Sequence, residues 1–187
     1  MVTVISGTNR KGSFCKVFAE KYCDLLAEHL GEEVQLLALE DLPHDWFSPE
    51  MYASGGQSAS LSAVQDKYIL GARHFVFISP EYNGSFPGAL KLFIDACSVR
   101  EYALNFKGKK AALVGVASGR AGNLRGMGDL AGVLHYLGTT TMPNQLPISS
   151  IGKLISKDKV IEDADTLAIL ADHAQAFANF IQEPVFA

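Results

Sequence analysis

The stretch VTVISGTNRKGS (residues 2–13) joins two signals whose succession is typical of an α/β fold. Its first half is a short β-branched run, which predicts a strand over Val2–Ser6. Its second half holds two glycines and a serine, and from Phe14 onward apolar residues recur at helical spacing until Gly31. The stretch therefore predicts a strand, a glycine-containing loop and a helix, which is the first unit of a parallel sheet.

The same alternation of strand and helix patterns continues along the chain. Four more strands are predicted at 34–39, 74–79, 110–117 and within 139–149, and four more helices at about 61–71, at 88–97, in a segment ending at 137, and at 163–182. Five strands that alternate with five helices imply an α/β fold with a five-stranded parallel sheet, covered by helices on both faces. We expect the strand order 2-1-3-4-5 and a single domain over 1–187. Residues 44–60 lack periodicity and predict a long loop.

The composition limits the classes of function. The 187 residues are 48% hydrophobic and 19% charged, with a formal net charge of −4, so an overall basic surface for nucleic acid is not expected. Apolar runs fall well short of the roughly 20 residues that span a bilayer, so no membrane insertion is expected. The three cysteines show no paired spacing and indicate reduced thiols in a cytoplasmic protein. The five histidines are scattered, and no metal site is expected.

The loop after the first strand contains the elements of a phosphate site. Ser13 stands where a nucleoside triphosphate-binding P-loop needs lysine, and Gly7 and Gly12 are too far apart for a dinucleotide fingerprint. The loop still offers three kinds of anion-binding group: a helix N-terminus, hydroxyls such as those of Thr8 and Ser13, and the Arg10 guanidinium. These groups suit a single terminal phosphate. The alternative is that Gly12 and Ser13 only cap the first helix.

Two more loops are expected to meet the first one. Residues 80–87 contain the turn dipeptide Asn83-Gly84 between two prolines, and this rigid loop can offer backbone groups to the edge of a planar heterocycle. Residues 118–126 form a polar, glycine-rich loop after the fourth strand. Strands one, three and four are neighbours in the expected order, so their carboxyl-end loops converge on one crevice, where ligands bind in such sheets.

Several of these side chains have a second interpretation that the sequence leaves open. Cys15 is either a thiol of lowered pKa at the helix start or a small packing residue. Tyr82 is either a ligand of a flat molecule or a partly buried packing residue, and Glu81 is either a ligand or the partner of a surface cation. Trp46 and Tyr52 form either an aromatic cover over a flat substrate or a packed plug.

Two motifs together resemble a known family. G-T-x-R-x-x-S over residues 7–13 and P-E-Y-N-G-S-x-P-G-x-L-K over residues 80–91 closely resemble the NADPH-dependent FMN reductase family, which includes flavodoxin-like quinone, azo-dye and chromate reductases. The order of strands and helices fits from Met1 to about Ile181. The resemblance implies a flavodoxin-like three-layer sandwich that binds FMN noncovalently as one domain, 1–187, in homodimers or homotetramers.

The resemblance also implies three groups of cofactor-binding residues. The group expected around the FMN phosphate is Thr8, Arg10, Ser13, Phe14 and Cys15. The group expected along the isoalloxazine edge is Pro80, Glu81, Tyr82, Asn83 and Gly84. The group expected to close the other side of the ring is Ser118, Gly119 and Arg120. The chain departs from its relatives at Cys15, where many have asparagine, and at Ala96, where many have tryptophan. The loop over residues 117–125 is one glycine short of the usual pattern.

The implied function is a flavin-dependent oxidoreductase. NADPH or NADH reduces the bound FMN, and two electrons then pass to a quinone-like or other small-molecule acceptor. The flavin supplies the chemistry, so no catalytic acid or base is expected of the protein. Two alternatives are a flavodoxin-like electron carrier without NAD(P)H turnover and a flavin-free interaction module. The modest net charge and the basic Arg10-Lys11 pair weigh against the carrier.

Overall fold

A parallel β-sheet lies at the centre of the protein. The structure, a computed structural model, describes residues 1–183; residues 184–187 of the predicted domain lie outside this range. The sheet contains β1 (Val2–Ser6), β2 (Val34–Ala38), β3 (His74–Pro80) and β4 (Lys110–Val116), with the short strands β5 (Thr140–Thr141) and β6 (Leu146–Ile148) along the outer edge of β4. The order β2-β1-β3-β4-β5 confirms the prediction and is that of the flavodoxin-like fold.

The register brings the strand ends to one edge of the sheet. Ser6, the last residue of β1, is opposite Ala38 of β2 and Ile78 of β3. At the same edge Val116 of β4 is opposite Pro80 of β3 and Ile148 of β6. The loops that follow β1, β3, β4 and β6 therefore begin side by side, as the predicted crevice requires.

Helices cover both faces of the sheet, as predicted. One face packs against α1 (Phe14–Leu30) and α6 (Ala164–Gln182), and the other against α2 (Ala59–Val64), α3 (Gly88–Cys97) and α5 (Leu124–Tyr136). Successive strand residues point to opposite faces, and because both faces are covered, every residue of β1 and β4 is buried. The layers bury two apolar clusters, which hold the sheet and hence the loops at its edge in place.

The ends of α1 follow from its sequence. The Ser13 hydroxyl accepts a hydrogen bond from the N–H of Cys15 at 3.2 Å, which is the predicted N-cap. At the other end Gly31 adopts a left-handed conformation, with φ of 66°, and donates its N–H to Ala27. The N-terminus of this helix thus begins directly at the glycine-containing loop.

Two predicted elements differ from the structure. The single helix predicted at 61–71 begins earlier, at Ala59, and its second half, Gln65–Leu70, is a π-helix. The Gln65 amide is fully buried and donates to the carbonyls of Cys97 and Arg100, so this polar side chain is satisfied inside the core at the wider turn. The strand predicted within 139–149 consists of the two short strands β5 and β6, because proline cannot donate to the sheet and Pro143 lies between them.

One short helix, α4 (Tyr102–Asn105), was not predicted. It has only four residues and therefore no helical repeat to detect. Across residues 1–183, the helices are all too short or too polar to cross a membrane.

Candidate functional site

A groove lies at the carboxyl edge of the sheet, between the ends of β1, β3 and β4. Its volume is about 310 Å³, within the lower range of ligand sites in proteins. One end is polar, and the other is mainly apolar. The lining residues come from four loops that are far apart in the sequence: Arg10, Gly12, Ser13, Phe14, Cys15, Pro80, Glu81, Tyr82, Val116, Ala117, Ser118, Ile151 and Gly152.

The polar end is formed by the first loop and the start of α1. Gly12 has φ of 70°, a left-handed conformation that favours glycine and turns the chain into the helix. The N–H groups of Ser13 and Phe14 have no acceptor among residues 1–183, and the exposed Arg10 side chain stands beside them. Free N–H groups at a helix N-terminus next to a guanidinium form an arrangement that binds anions.

A buried carboxylate stands behind this loop. Glu40 follows β2, is only 7% exposed, and accepts the Gly12 N–H through Oε1 at 3.2 Å. Its other oxygen, Oε2, has no hydrogen-bond partner among the described residues. The contact holds the loop in place, but it also puts a negative charge close to a site that otherwise favours anions.

A hydroxyl pair joins the first loop to the loop after β3. The Thr8 hydroxyl is fully buried and lies 2.7 Å from the Tyr82 hydroxyl. Thr8 Oγ1 also accepts the N–H of Arg10 at 3.2 Å. Thr8 is therefore enclosed behind the groove, where it sets the distance between the two loops, and the ring of half-buried Tyr82 forms part of the groove wall.

The loop after β3 is a tight turn with its own hydrogen bonds. Tyr82 and Ser85 exchange both backbone hydrogen bonds, at 2.9 and 3.1 Å. Between them Asn83 and Gly84 have φ values of 53° and 79°, as the Asn-Gly sequence predicts for a two-residue hairpin turn. Asn83 and Gly84 form the tip of the turn and do not line the groove, whereas Pro80, Glu81 and Tyr82 do.

The remaining wall is formed by the ends of β4 and β6. Ala117 N–H donates to the Ile148 carbonyl at 2.9 Å, and the N–H of Ile151 donates back to the Ala117 carbonyl at 3.1 Å. These bonds bring Ile151 and Gly152 into the groove beside Ser118. No sequence motif marks this pair, although the rule that ligands bind at the carboxyl ends of strands applies equally to the residues after the last strand.

Cys15 is a packing residue and not a reactive thiol. Its side chain is 1% exposed and donates to the Ile78 carbonyl at 3.0 Å. Burial raises the pKa of the Cys15 thiol to about 12, and the nearby Glu40 carboxylate adds to this increase. The helix N-terminus does not produce a thiolate here, because the desolvation of a buried charge outweighs it.

The structure sorts the predicted site residues into two groups. Eight of them meet in the groove, and the others, Thr8, Asn83, Gly84, Gly119 and Arg120, lie outside its lining. Arg120 and Gly119 are exposed on the loop beyond Ser118. Of the aromatic residues considered as a cover, Trp46 is buried against Phe93 and Tyr52 is 68% exposed; neither lines the groove.

Comparison with known proteins distinguishes the predicted enzyme from the electron carrier and the flavin-free interaction module. The sequence profile of the NADPH-dependent FMN reductase family matches residues 1–153. The chain belongs to this family. The predicted resemblance is thereby confirmed, and the chain is an oxidoreductase that uses NAD(P)H with FMN as its cofactor. This membership favours the enzyme over the alternatives of an electron carrier and a flavin-free module.

Individual relatives agree with the family assignment. The chain is 32% identical to an NAD(P)H-dependent FMN reductase of Pseudomonas aeruginosa over 71% of its own length and 68% of that protein. It is 30% identical to an NADPH azoreductase of Bacillus sp. strain OY1-2, over 89% and 85% of the two chains. The structure of FerB, a flavoenzyme NAD(P)H:(acceptor) oxidoreductase from Paracoccus denitrificans, matches with a TM-score of 0.74 and 28% identity, over 97% of this chain and 96% of FerB.

Proposed function

We propose that the groove binds FMN and that the protein uses NAD(P)H to pass two electrons to a quinone-like or other small acceptor. The observation that carries this proposal is the polarity of the groove, which is anion-binding at the Arg10 end and mainly apolar at the other. FMN has the same polarity, with a phosphate at one end and a flat ring system at the other. We extend the proposal to the whole chain, 1–187, as one FMN-binding domain.

The phosphate end uses backbone donors and one cation. The N–H groups of Ser13 and Phe14 and the Arg10 guanidinium would hold the phosphate, with the Ser13 hydroxyl beside them. A monophosphate has no outer phosphate groups for a P-loop lysine to reach, so serine at position 13 suits it. Thr8 would act indirectly, by fixing this loop against Tyr82.

The ring end offers apolar surface and backbone groups. The isoalloxazine ring would lie between Val116, Ala117 and Ile151 on one side and Pro80 and Tyr82 on the other. When bound, the flavin supplies the electron-transfer chemistry. The protein binds it, orients it and keeps water from its inner edge, and none of these tasks needs a side chain that donates or removes a proton.

The acceptor is proposed from chemistry and from the relatives. Besides the azoreductase, the chain is 26% identical to a 2-hydroxy-1,4-benzoquinone reductase of Burkholderia sp., over 84% of this chain and 86% of that protein. Quinones and azo dyes are flat, conjugated molecules that accept electron pairs. The groove is bordered by short loops, so a flat acceptor would reach the exposed face of a bound ring.

We further propose a homodimer or homotetramer in the cytoplasm. Tyr102 and Tyr136 are 53% and 85% exposed and border a second groove, of about 740 Å³, between α3 and α5. Exposed apolar surface of this kind is common where copies of a chain associate. The free cysteines Cys15, Cys23 and Cys97 agree with a reducing compartment. Light scattering during size-exclusion chromatography tests the oligomeric state, and a monomer at micromolar concentration would contradict it.

The absorption spectrum of the purified protein, with and without added FMN, tests the cofactor site. We expect a yellow protein that oxidises NADPH when a quinone is supplied. Replacing Arg10 with alanine should weaken FMN binding roughly tenfold to hundredfold, because a hydrogen bond to a charged group contributes about 1.5–3 kcal/mol. Riboflavin, which lacks the phosphate, should bind equally well to both forms.

The matched control is Lys11→Ala, which removes a neighbouring exposed cation that does not line the groove. It should lower FMN affinity much less than Arg10→Ala. Bound FMN without NADPH oxidation would favour the electron carrier, and the absence of FMN binding would favour the interaction module.

A further inference from the structure

A buried asparagine behind the groove holds the end of β3. Asn123 immediately precedes α5 and is fully buried. Its Nδ2 donates to the carbonyl oxygens of Ser79 and Pro80 at 2.9 and 3.0 Å, and it lies 3.3 Å from the Ser79 hydroxyl. One side-chain amide therefore binds two successive carbonyl groups at the point where β3 enters the groove.

These bonds orient the peptide group between Pro80 and Glu81. In a trans peptide the C=O and N–H groups point in opposite directions, and the described residues contain no cis peptide bond. Because the Pro80 carbonyl points to Asn123, the Glu81 N–H points away from it. Both Pro80 and Glu81 line the groove, whereas Asn123 does not.

The backbone at Asn123 is itself unusual. Its φ is 63°, a left-handed conformation that asparagine tolerates better than other residues with a Cβ, though less well than glycine. Its Oδ1 is buried and has no hydrogen-bond partner within residues 1–183. The amide thus forms these two carbonyl contacts although its own oxygen is unsatisfied and its backbone is strained, which is typical of a position kept for its effect on a site.

Helix α5 itself contacts the same loop at residues that do not line the groove. A Cβ added to Gly126 would lie 2.6 Å from the Ser85 carbonyl carbon and 2.7 Å from the Phe86 nitrogen, so the helix touches the loop backbone. The Ser85 hydroxyl donates to Asp129 at 2.6 Å. Asn123, just before the helix, contacts Pro80, which does line the groove.

We infer that Asn123 is a positioning residue for the flavin ring: it fixes the Pro80–Glu81 peptide so that the Glu81 N–H is held out as a donor to the ring edge. The inference rests on the proposed FMN site and deepens it. Asn123 acts through the backbone and does not touch the cofactor. It therefore affects the ring end of the groove and leaves the phosphate end unchanged.

Asn105 provides a matched control. It is 1% exposed, and its Nδ2 also donates to two carbonyl groups, those of Cys97 and Arg100, both at 2.9 Å. It is absent from the groove lining. Asn105 and Asn123 are thus alike in burial and in the number of carbonyl groups they bind. They differ in location, because only Asn123 contacts a residue of the groove lining.

The test measures the dissociation constants of FMN and riboflavin for Asn123→Gly and Asn105→Ala, together with their melting temperatures. Glycine suits the backbone at position 123, so the first change removes the amide with little added strain. We expect Asn123→Gly to weaken FMN and riboflavin by the same factor, at least tenfold, and to shift the absorption spectrum of the flavin that remains bound. Asn105→Ala should lower the melting temperature with unchanged affinity for both flavins.

A second variant, Asn123→Asp, keeps the shape and replaces the amide donor with an acceptor, and it should weaken both flavins at least as much. Equal losses in Asn123→Gly and Asn105→Ala, or unchanged flavin affinity in the two Asn123 variants, would overturn the inference. If the unaltered chain binds no FMN, the proposed function itself fails. A loss confined to FMN with riboflavin unaffected would mean that Asn123 acts on the phosphate end, and would also overturn the inference.

Discussion

The two loops that face each other across the groove are built in opposite ways. The first loop, residues 7–13, is exposed over residues 9–12, and its N–H groups at the helix start find no acceptor in the described part of the chain. The loop after β3, residues 80–86, closes its own turn and is held from behind by α5. A phosphate can be held by few, strong, charge-assisted bonds, whereas a flat ring needs a wall of fixed shape.

The two loops therefore differ in how fully they are hydrogen-bonded without a ligand. The loop after β3, which we propose as the wall for the flavin ring (the ring wall), is complete before any ligand arrives, because its hydrogen bonds are internal. The first loop, which we propose holds the phosphate (the phosphate loop), has N–H donors without acceptors among residues 1–183, and an incoming anion would satisfy them. We therefore expect changes behind the ring wall to affect stability and flavin binding together, and changes in the phosphate loop to affect mainly the discrimination between FMN and uncharged flavins.

The largest effect is expected at the contact between α5 and the ring wall. In Gly126→Ala the new Cβ would lie 2.1 Å from Asn123 Oδ1 and would meet the backbone of Ser85 and Phe86. Overpacking of this kind costs about 1–3 kcal/mol, and a rigid backbone neighbour favours the upper value. Chemical denaturation should show a loss of about 3 kcal/mol in the free energy of unfolding, accompanied by weaker flavin binding.

The control for this change is Gly128→Ala, two residues along the same helix. A Cβ there meets no atom of the described residues within 4 Å, and alanine is the better helix former. Its free energy of unfolding should be unchanged or slightly higher. A similar loss in both variants would show that α5 tolerates no added side chain anywhere, and that its contact with the loop after β3 is not specifically tight.

A smaller effect, a gain and not a loss of FMN affinity, is expected from a change behind the phosphate loop. Glu40→Gln keeps an oxygen for the Gly12 N–H and removes the negative charge behind the loop. If the repulsion between this carboxylate and a phosphate amounts to about 1 kcal/mol, FMN affinity should rise about fivefold, with riboflavin unchanged. Fluorescence titration measures both constants.

Asp41→Asn is the neighbouring control, since the Asp41 carboxylate is 60% exposed and already paired with Lys16 at 2.6 Å. Exposed pairs contribute little, so FMN affinity should stay within about twofold. A drop in FMN affinity in Glu40→Gln would indicate that Glu40 orders the loop through its charge, and that the loop is less adaptable than the comparison implies.

The smallest effect is expected at Cys15. Its pKa of about 12 leaves the thiol protonated at pH 8, and the thiolate is the form that reacts. Iodoacetamide at pH 8 should leave Cys15 unmodified in the folded protein and modify it in urea, as mass spectrometry of the peptides would show. Rapid labelling in the folded state would mean that the helix start opens, and that the first loop is looser than its hydrogen bonds indicate.

Much of the architecture could be predicted because it is encoded locally. The β-branched run at Val2–Ser6, the helical spacing after Phe14, the cap at Ser13 and the Asn83-Gly84 turn each depend on neighbouring residues, and the structure confirms them all. The alternation of these elements also predicted a parallel sheet covered on both faces, and the strand order expected for a flavodoxin-like fold is the one observed. The two family motifs predicted the assignment that the comparisons confirmed.

The sequence by itself thus determined the fold, the family and three of the four loops that line the groove. Only the tertiary structure decided which hydroxyls are enclosed, that Cys15 is inert, and that Ile151 and Gly152 complete the wall. The physical reason is that these properties depend on contacts between residues far apart in the chain, such as Thr8 with Tyr82 and Asn123 with Ser79. The burial of these side chains and their hydrogen-bond partners are set only when the strands assemble, so they cannot be predicted from neighbouring residues.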